Sequence, residues 1–451
     1  MQNFLEHDRV EPDKRGEVER IRDFNEIYGV LSKKEASFQS TRCVQCSNPY
    51  CSHGCPLDNH IPQWLKAVAN KNLELAFTLT NKTSPFPEIM GKVCPQDRLC
   101  EKTCTLNEGF GAVTIGFVEN YINQQGFERN LQVQFSKNKL GKKVSIVGSG
   151  PAGLSVATFL LRAGFDVEIY ERDDRAGGLL TYGIPNFKLH KTDVERRVNI
   201  LLEQGMKLHL NKEVGKDISF EDLRKNSDAV FVGIGATGAK EIDIANKQAK
   251  NVYKAMEVLI DVQKSIFNNT APKIELKNKR VVVIGAGDTA MDCVRTSIRE
   301  RAADVKCLYR RNEESMPGSL KEHLNAKQEG VEFVFHLSPS EIKVNDKNEV
   351  TSIVMQKTAF KDGKLEALDE YEEIEADIVI FSLGFNVVIP SFIKDSGVEL
   401  DEYGNIALND YRTSEAKVYA GGDCFRGSDL VVNAALDGRE AARAIMEDLQ
   451  I

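Results

Sequence analysis

Short apolar runs and glycine-rich turns alternate in two widely separated parts of the chain. In the first, Val144–Val147 leads into GSGPAGL, an apolar helical stretch and the run DVEIY. In the second, Val281–Ile284 leads into GAGDTAMDC, another helical stretch and DVKCLY. Unbroken apolar runs of this length suit buried parallel strands, so each part predicts strand, turn, helix, strand. The chain closes with ADIVIFSLGF and VYAGGDCFRGSDLVVNAALDGREAARAIM, which read as a strand, a loop and a long helix. Nearer the N-terminus the period changes. Apolar residues in Pro62–Thr80 and Thr114–Gln125 recur every three or four positions, which predicts helices. The polar, basic QFSKNKLGKK (134–143) reads as a linker between the two regimes.

Composition narrows the classes. The chain has 451 residues, which predicts about three domains. Hydrophobic residues make up 41% and charged residues 28%, the proportions of an ordinary globular protein. A net charge of −8 gives no general attraction to phosphate backbones, so nucleic acid is not an expected partner. No apolar run is long enough for a membrane-spanning helix, and no membrane association is expected. The charged opening MQNFLEHDRVEPDKRGEVER lacks the apolar centre of a signal peptide, so a cytoplasmic location is expected. Ten cysteines in that compartment point to metal or redox chemistry more than to disulfides.

Each glycine motif follows an apolar strand and opens a helix, the context that marks a dinucleotide site. Gly148 permits the tight turn, Gly150 lets the backbone approach a pyrophosphate, and Gly153 lets helix and strand pack closely. Glu171, 23 residues after Gly148, can accept hydrogen bonds from ribose hydroxyls, which fits FAD or NAD. The second motif is Gly285, Gly287 and Ala290, with Asp288 and Thr289 at its helix start. There the acidic residue is replaced by Arg310 and Arg311, which could hold a 2′-phosphate, so NADPH is expected over NADH. The alternatives are a structural βαβ unit and a solvated arginine pair. Two such units suggest a hydride relay, with the NADPH unit inserted into the FAD unit. In YAGGD, Gly422 and Asp423 follow a strand, where the carboxylate can bind a flavin's ribityl chain. The helix starting near Leu430 and Val431 would then face the isoalloxazine edge. FVGIGATGAK (231–240) reads as a strand and turn closing over the first cofactor.

GSGPAGL, GIGATG, GAGDTAMDC and AGGDCFRGSDLVV together resemble the flavoprotein disulfide-reductase superfamily. Members of that superfamily often carry a C-x4-C disulfide after the first βαβ unit, but AGGLLTYGIPNFKLH (176–190) has no cysteine. The chain therefore resembles the branch without a disulfide. In that branch this stretch wraps the flavin, which implies Gly178, Leu179 and Lys188 as FAD contacts.

Seven cysteines lie between Cys43 and Cys104. Cys43-x2-Cys46-x4-Cys51-x3-Cys55-Pro56 and Cys94-Pro95-x4-Cys100-x3-Cys104 are similar to the ferredoxin run in which the Cys before Pro serves the other cluster. Thiolates suit iron–sulfur clusters and zinc alike, but paired C-x2-C knuckles typical of zinc occur here only once. Two four-ligand clusters need one donor beyond these seven. His53 and His60 are nearby candidates, or ordinary surface histidines.

RCVQCSNPYCSHGCPLDNHIPQW, GKVCPQDRLCEKTC and VTIGFVENYI resemble the iron–sulfur domain of the glutamate synthase small-subunit family, a domain shared with dihydropyrimidine dehydrogenase. CLYRRNEESMPGSLKEHLNAKQEGVEF (307–333) also resembles that family. The resemblance implies one [4Fe-4S] cluster on Cys43, Cys46, Cys51 and Cys104, and a second on Cys55, Cys94, Cys100 and Glu119. Glu119 is otherwise a helix-surface glutamate.

The implied fold is α/β: a helical iron–sulfur domain (1–140), an FAD domain (141–250 and 384–451) and an inserted NADPH domain (251–383). The implied role is electron input to a large (alpha) subunit carrying FMN, which makes glutamate from glutamine and 2-oxoglutarate. No catalytic side chain is nominated, because the cofactors carry the chemistry. Amidotransferase halves use an N-terminal Cys, whereas this chain begins Met1-Gln2-Asn3. Rival roles are electron input to a dihydropyrimidine dehydrogenase or a ferredoxin:NADP oxidoreductase, or a zinc-stabilised docking flavoprotein.

One prediction follows from the arginine pair. The double variant Arg310→Ser/Arg311→Ser should raise the KM for NADPH by about tenfold or more and that for NADH little. Steady-state kinetics with both nucleotides checks this, and equal effects would refute it.

Overall fold

The computed structural model describes residues 3–361 and 364–451, so Met1 and Gln2 of the N-terminal triplet lie outside the described residues. The N-terminal third is helical. Helix α1 (Lys33–Thr41) starts in a capping box in which Ser32 and Glu35 satisfy each other's backbone N–H. Helix α2 (Ile61–Ala69) carries Pro62 in its first turn, where a missing N–H costs nothing. The single helix expected over 62–80 is in fact two. Lys71 adopts φ 61° and Asn72 caps the second helix, α3 (Leu73–Thr83), through Leu75 N–H. A short polar Asn-Lys-Asn turn thus interrupts an apolar period that is otherwise continuous. Helices α4 (Pro87–Val93) and α5 (Ile115–Glu128) complete this unit. Helix α5 is buried on nearly every side and packs with Trp64, Phe77 and Val68.

Two parallel sheets follow. The first has the strand order Val418–Ala420, Ala229–Val232, Lys143–Val147, Asp166–Tyr170, Lys207–His209. The second has the order Val252–Lys254, Ile378–Phe381, Arg280–Ile284, Asp304–Tyr309, Glu332–Phe335. Every strand of the second sheet falls in sequence between strands of the first. The crossing points, Gly238–Ala239 and Phe385–Asn386, pair as a two-stranded antiparallel connection. Helix α6 (Pro151–Ala163) follows the first glycine turn, and α7 (Lys191–Glu203) packs beside it. Helix α8 (Ala255–Asn268) opens the second unit, α9 (Asp288–Arg299) follows its glycine turn, and α10 (Leu320–Gln328) comes after the arginine pair. The long closing helix α11 (Val431–Asp448) lies along α6. An antiparallel sheet of Leu337–Val344, Val350–Lys361 and Lys364–Glu375 projects from the second unit. Among the described residues, no helix is long and apolar enough to cross a membrane.

The units are welded together. Leu57, Phe86, Ile89 and Met90 of the helical region share one apolar cluster with the first sheet and α11. Within that seam Arg197 donates to both oxygens of Glu88 at 2.8 and 2.6 Å and to Asn81 Oδ1 at 3.2 Å. Neither ionic side chain is exposed. Glu329, also fully buried, gathers Arg20, Arg295 and Arg299 and ties the N-terminal segment to the second unit.

Removing one partner of a buried pair leaves an uncompensated charge. Glu88→Leu should therefore cost about 3–5 kcal/mol, and Glu88→Leu/Arg197→Leu should recover most of it. Denaturant titration of both variants checks this.

Candidate metal centres and dinucleotide turns

Two small cavities lie in series through the helical region. Cys43, Cys46, Cys51 and Cys104 line the outer one, together with Tyr50, Leu65 and Ile115. Cys55, Cys94, Cys100 and Glu119 line the inner one, again with Ile115. Ile115 therefore forms a wall of both. The outer cavity reaches Tyr50, which is 56% exposed, and the inner one reaches Val432 in the first turn of α11.

Burial dominates the surroundings of these donors, although Gln45 donates to Cys43 Sγ at 3.2 Å and Thr105 meets Cys46 Sγ at 3.2 Å. Burial pushes the Cys51 thiol up to about 12 and Cys55 up to about 11. Burial likewise raises Cys43, and it raises Cys94 and Cys100 well above the usual thiol range. The Glu119 carboxyl is pushed up to about 8 by burial, with Glu88 adding to it, and Asn59 donates to it at 3.4 Å. Thiols and a carboxyl in such a setting become anionic when a metal replaces their protons. Thiolates with one oxygen donor also suit iron–sulfur chemistry. The donor set thus fits clusters in both cavities. Arg42, fully buried beside Cys43, donates to the carbonyls of Phe110, Gly111 and Ala112 and fixes the loop after Cys104.

The glycine turns also have the shape their ligands need. Gly148 has φ 94°, and a Cβ on Gly153 would sit 2.1 Å from the Gly148 carbonyl, so helix and turn are in direct contact. Gly150 and Gly287, by contrast, face open space. Each lies at the N-cap of its helix, where free N–H groups can receive a phosphate. Gly178 approaches Gly150, because a Cβ there would lie 3.0 Å from the Gly150 Cα. The Leu179 side chain beside it is 41% exposed. Glu171 ends its strand buried, and its Oε2 accepts from Ser149 N–H at 2.9 Å. The Gly285 N–H donates to Leu308 O, which binds the second turn to the strand ending at Tyr309. Arg310 and Arg311 follow that strand, and among the described residues neither guanidinium has a carboxylate partner. Ala290 is fully buried and Thr289 half-buried in the first turn of α9. Asp288 accepts from Arg98 at 2.9 Å and from Ser319 N–H at 2.9 Å. Gly422 donates to the fully buried Asp437 at 2.9 Å. Leu430 caps α11 and Val431 begins it.

Known proteins share this arrangement. Residues 20–131 match the family described as dihydropyrimidine dehydrogenase domain II, 4Fe-4S cluster. Residues 142–438 match the pyridine nucleotide-disulphide oxidoreductase family. The glutamate synthase [NADPH] small chain of Escherichia coli K12 is 43% identical, over 99% of this chain and 98% of its own length. The chain belongs to the glutamate synthase small-chain family. The Azospirillum brasilense member is 40% identical over 99% of this chain and 95% of its own. The fold alone is shared with Mycobacterium tuberculosis FprA, solved in complex with NADPH, at TM-score 0.58 and 19% identity over 69% of this chain and 85% of that one.

Some side chains of this small-chain relative stand apart from their expected surroundings. Lys188 donates to Asp292 of α9 at 2.9 Å, so it joins the loop at 177–190 to the second dinucleotide unit. Burial opposes the Lys188 charge, but Asp292, Glu322 and Asp288 outweigh it and hold its pKa above the ordinary lysine value. His53 is exposed and meets Asn48, His60 caps α2, and neither lines either cysteine cavity. Cys293, Cys307 and Cys424 are buried in the dinucleotide units, away from both cavities. Sequence patterns missed Lys191, whose buried ammonium donates to the carbonyls of Leu180, Ile184 and Leu189 and staples the loop. They missed Asp437 as well. Neither has a motif; only their total burial marks them.

Burial pushes the Asp423 carboxyl up to about 7, with the Asp437 charge adding to it and a backbone hydrogen bond from Asp429 opposing it. The folded carboxyl thus holds its proton more tightly than the unfolded one, so stability falls as pH rises from about 4 to about 7. In flavin-free protein, Asp423→Asn should match the wild type near pH 4 and exceed it by about 2–4 kcal/mol at pH 8. Thermal unfolding at both pH values checks the sign.

Proposed function

We propose that the chain is the electron-input subunit of an NADPH-dependent glutamate synthase. Its partner would be a large (alpha) subunit carrying FMN, which makes glutamate from glutamine and 2-oxoglutarate, and the assembly would work in the cytoplasm. The resident groups would be FAD and two [4Fe-4S] clusters. FAD takes two electrons from NADPH and can release them singly, and the clusters carry one electron at a time. The observation that carries this reading is the serial pair of cavities, which share Ile115 and run from Val432 to the exposed Tyr50.

The residues would divide the work as follows. Gly148, Gly150 and Gly153 would seat the FAD pyrophosphate, Glu171 the ribose and Asp423 the ribityl chain. Gly178, Leu179, Gly422, Leu430 and Val431 would line the flavin. Lys188, paired with Asp292, would reach the flavin from the loop at 177–190. Gly285, Gly287, Asp288, Thr289 and Ala290 would seat NADPH, with Arg310 and Arg311 on its 2′-phosphate. The inner cluster would use Cys55, Cys94, Cys100 and Glu119, and the outer one Cys43, Cys46, Cys51 and Cys104. Among the described residues, no three His, Cys, Asp or Glu side chains converge as a single ion requires. The domain limits we assign are 1–140, 141–250 with 384–451, and 251–383.

The test is anaerobic purification of tagged protein from its host. A large partner, and NADPH-dependent glutamate formation from glutamine and 2-oxoglutarate, are expected. A partner without that activity would contradict the reading. Cys46→Ser, in the outer cavity, should leave NADPH-driven dye reduction within about twofold while abolishing glutamate formation. Loss of both activities together would contradict the serial order.

A further inference from the structure

A cavity of about 390 Å³ opens between α1, the α2–α3 turn and the end of α5. It is separate from the cysteine cavities and from both glycine turns. Four cations stand on its rim: Lys33, Lys34, Lys71 and Arg129. All four are exposed, and among the described residues none makes an ion pair. No acidic residue lines the cavity. Elsewhere the surface cations are commonly neutralised, as where Arg412 and Arg443 share Asp410 and Glu447. On a chain of net charge −8, this unneutralised cluster is a local reversal of sign. Beneath the rim, Phe38 and Val68 give the cavity an apolar wall.

Its position is informative. Val68 lies one turn beyond Leu65, and Leu65 lines the outer cysteine cavity. Helix α1, which carries Lys33 and Lys34, ends two residues before Cys43. Both cavities therefore adjoin α2, with Lys33 and Lys34 at the end of α1 away from Cys43.

We propose that this basic cavity is the docking site for an acidic segment of the large partner subunit, which holds that subunit against the outer cysteine cavity. The inference rests on the electron-input reading and adds the surface through which electrons would leave. A small anion is the weaker candidate. Exposed ion pairs contribute about 0–1 kcal/mol each, and among the lining residues Tyr121 alone offers a buried polar group to a small ligand. A segment with several carboxylates engages the whole rim at once, and the patch also steers its approach.

The test uses the full chain with Lys33→Glu/Lys34→Glu. These positions are in the first turn of α1, where acidic side chains favour the helix dipole, so folding should be retained. Lys71→Glu is the second variant, outside α1. Affinity for the wild-type large subunit is measured over a range of salt, beside NADPH:ferricyanide reduction by the chain alone. Each variant should weaken partner binding, the double variant by about tenfold or more at low salt, with a flatter salt dependence. Ferricyanide reduction should stay within about twofold. Unchanged affinity and salt slope in both variants overturn the proposal. So does a thermal shift with inorganic phosphate or 2-oxoglutarate that the variants abolish while partner affinity holds. If the wild-type chain binds the large subunit but no glutamate forms, the functional reading fails on its own. If it binds no large subunit, both fail.

Discussion

The seam between the cysteine-bearing helices and the first parallel sheet fixes everything else. Leu57, Phe86, Ile89 and Met90 belong to the same apolar cluster as the sheet and α11. The Arg197–Glu88 pair is buried inside that seam, with neither side chain exposed to solvent. One-electron transfer needs cofactors at fixed, short separations, and a hinged domain would not hold them. Here the inner cysteine cavity and the first turn of α11 share a wall at Val432, so their spacing is set by core packing. Lys188 to Asp292, Arg98 to Asp288, and Arg20 to Glu329 extend the same rigidity to the second dinucleotide unit.

The metal sites impose a complementary demand. Buried thiols with raised pKa values are poor ligands until something positive displaces their protons. Their apolar walls disfavour bare thiolates in the metal-free chain and stabilise the loaded one. Arg42 and Gln45 prepare the outer site before loading, through bonds to backbone carbonyls and to Cys43 Sγ.

Much of this was legible in the sequence, for reasons that can be named. Gly148, Gly153 and Gly285 announce themselves because backbone contact and positive φ exclude other residues. Spacing placed seven cysteines in one unit and set Cys55 apart from Cys43, Cys46 and Cys51, but only the family resemblance completed the two sets and added Glu119. The break at Lys71 was hidden because a turn of three polar residues barely disturbs the apolar period. The buried ion pairs were invisible because their members lie far apart, 109 positions for Arg197 and Glu88 and 309 for Arg20 and Glu329. The basic cavity was equally hidden, since three separate helical segments supply its rim. The projecting antiparallel sheet was missed because its outer strand, Lys364–Glu375, is almost wholly exposed and charged.

The central claim is that two cavities in series each hold an iron–sulfur cluster between the flavin end of α11 and the surface. Iron, labile sulfide and zinc analysis of anaerobically purified protein tests it most directly. The account predicts about eight irons and about eight sulfides per chain, with no stoichiometric zinc. About four irons would remove one cavity from the path, and zinc in place of iron would contradict the account altogether.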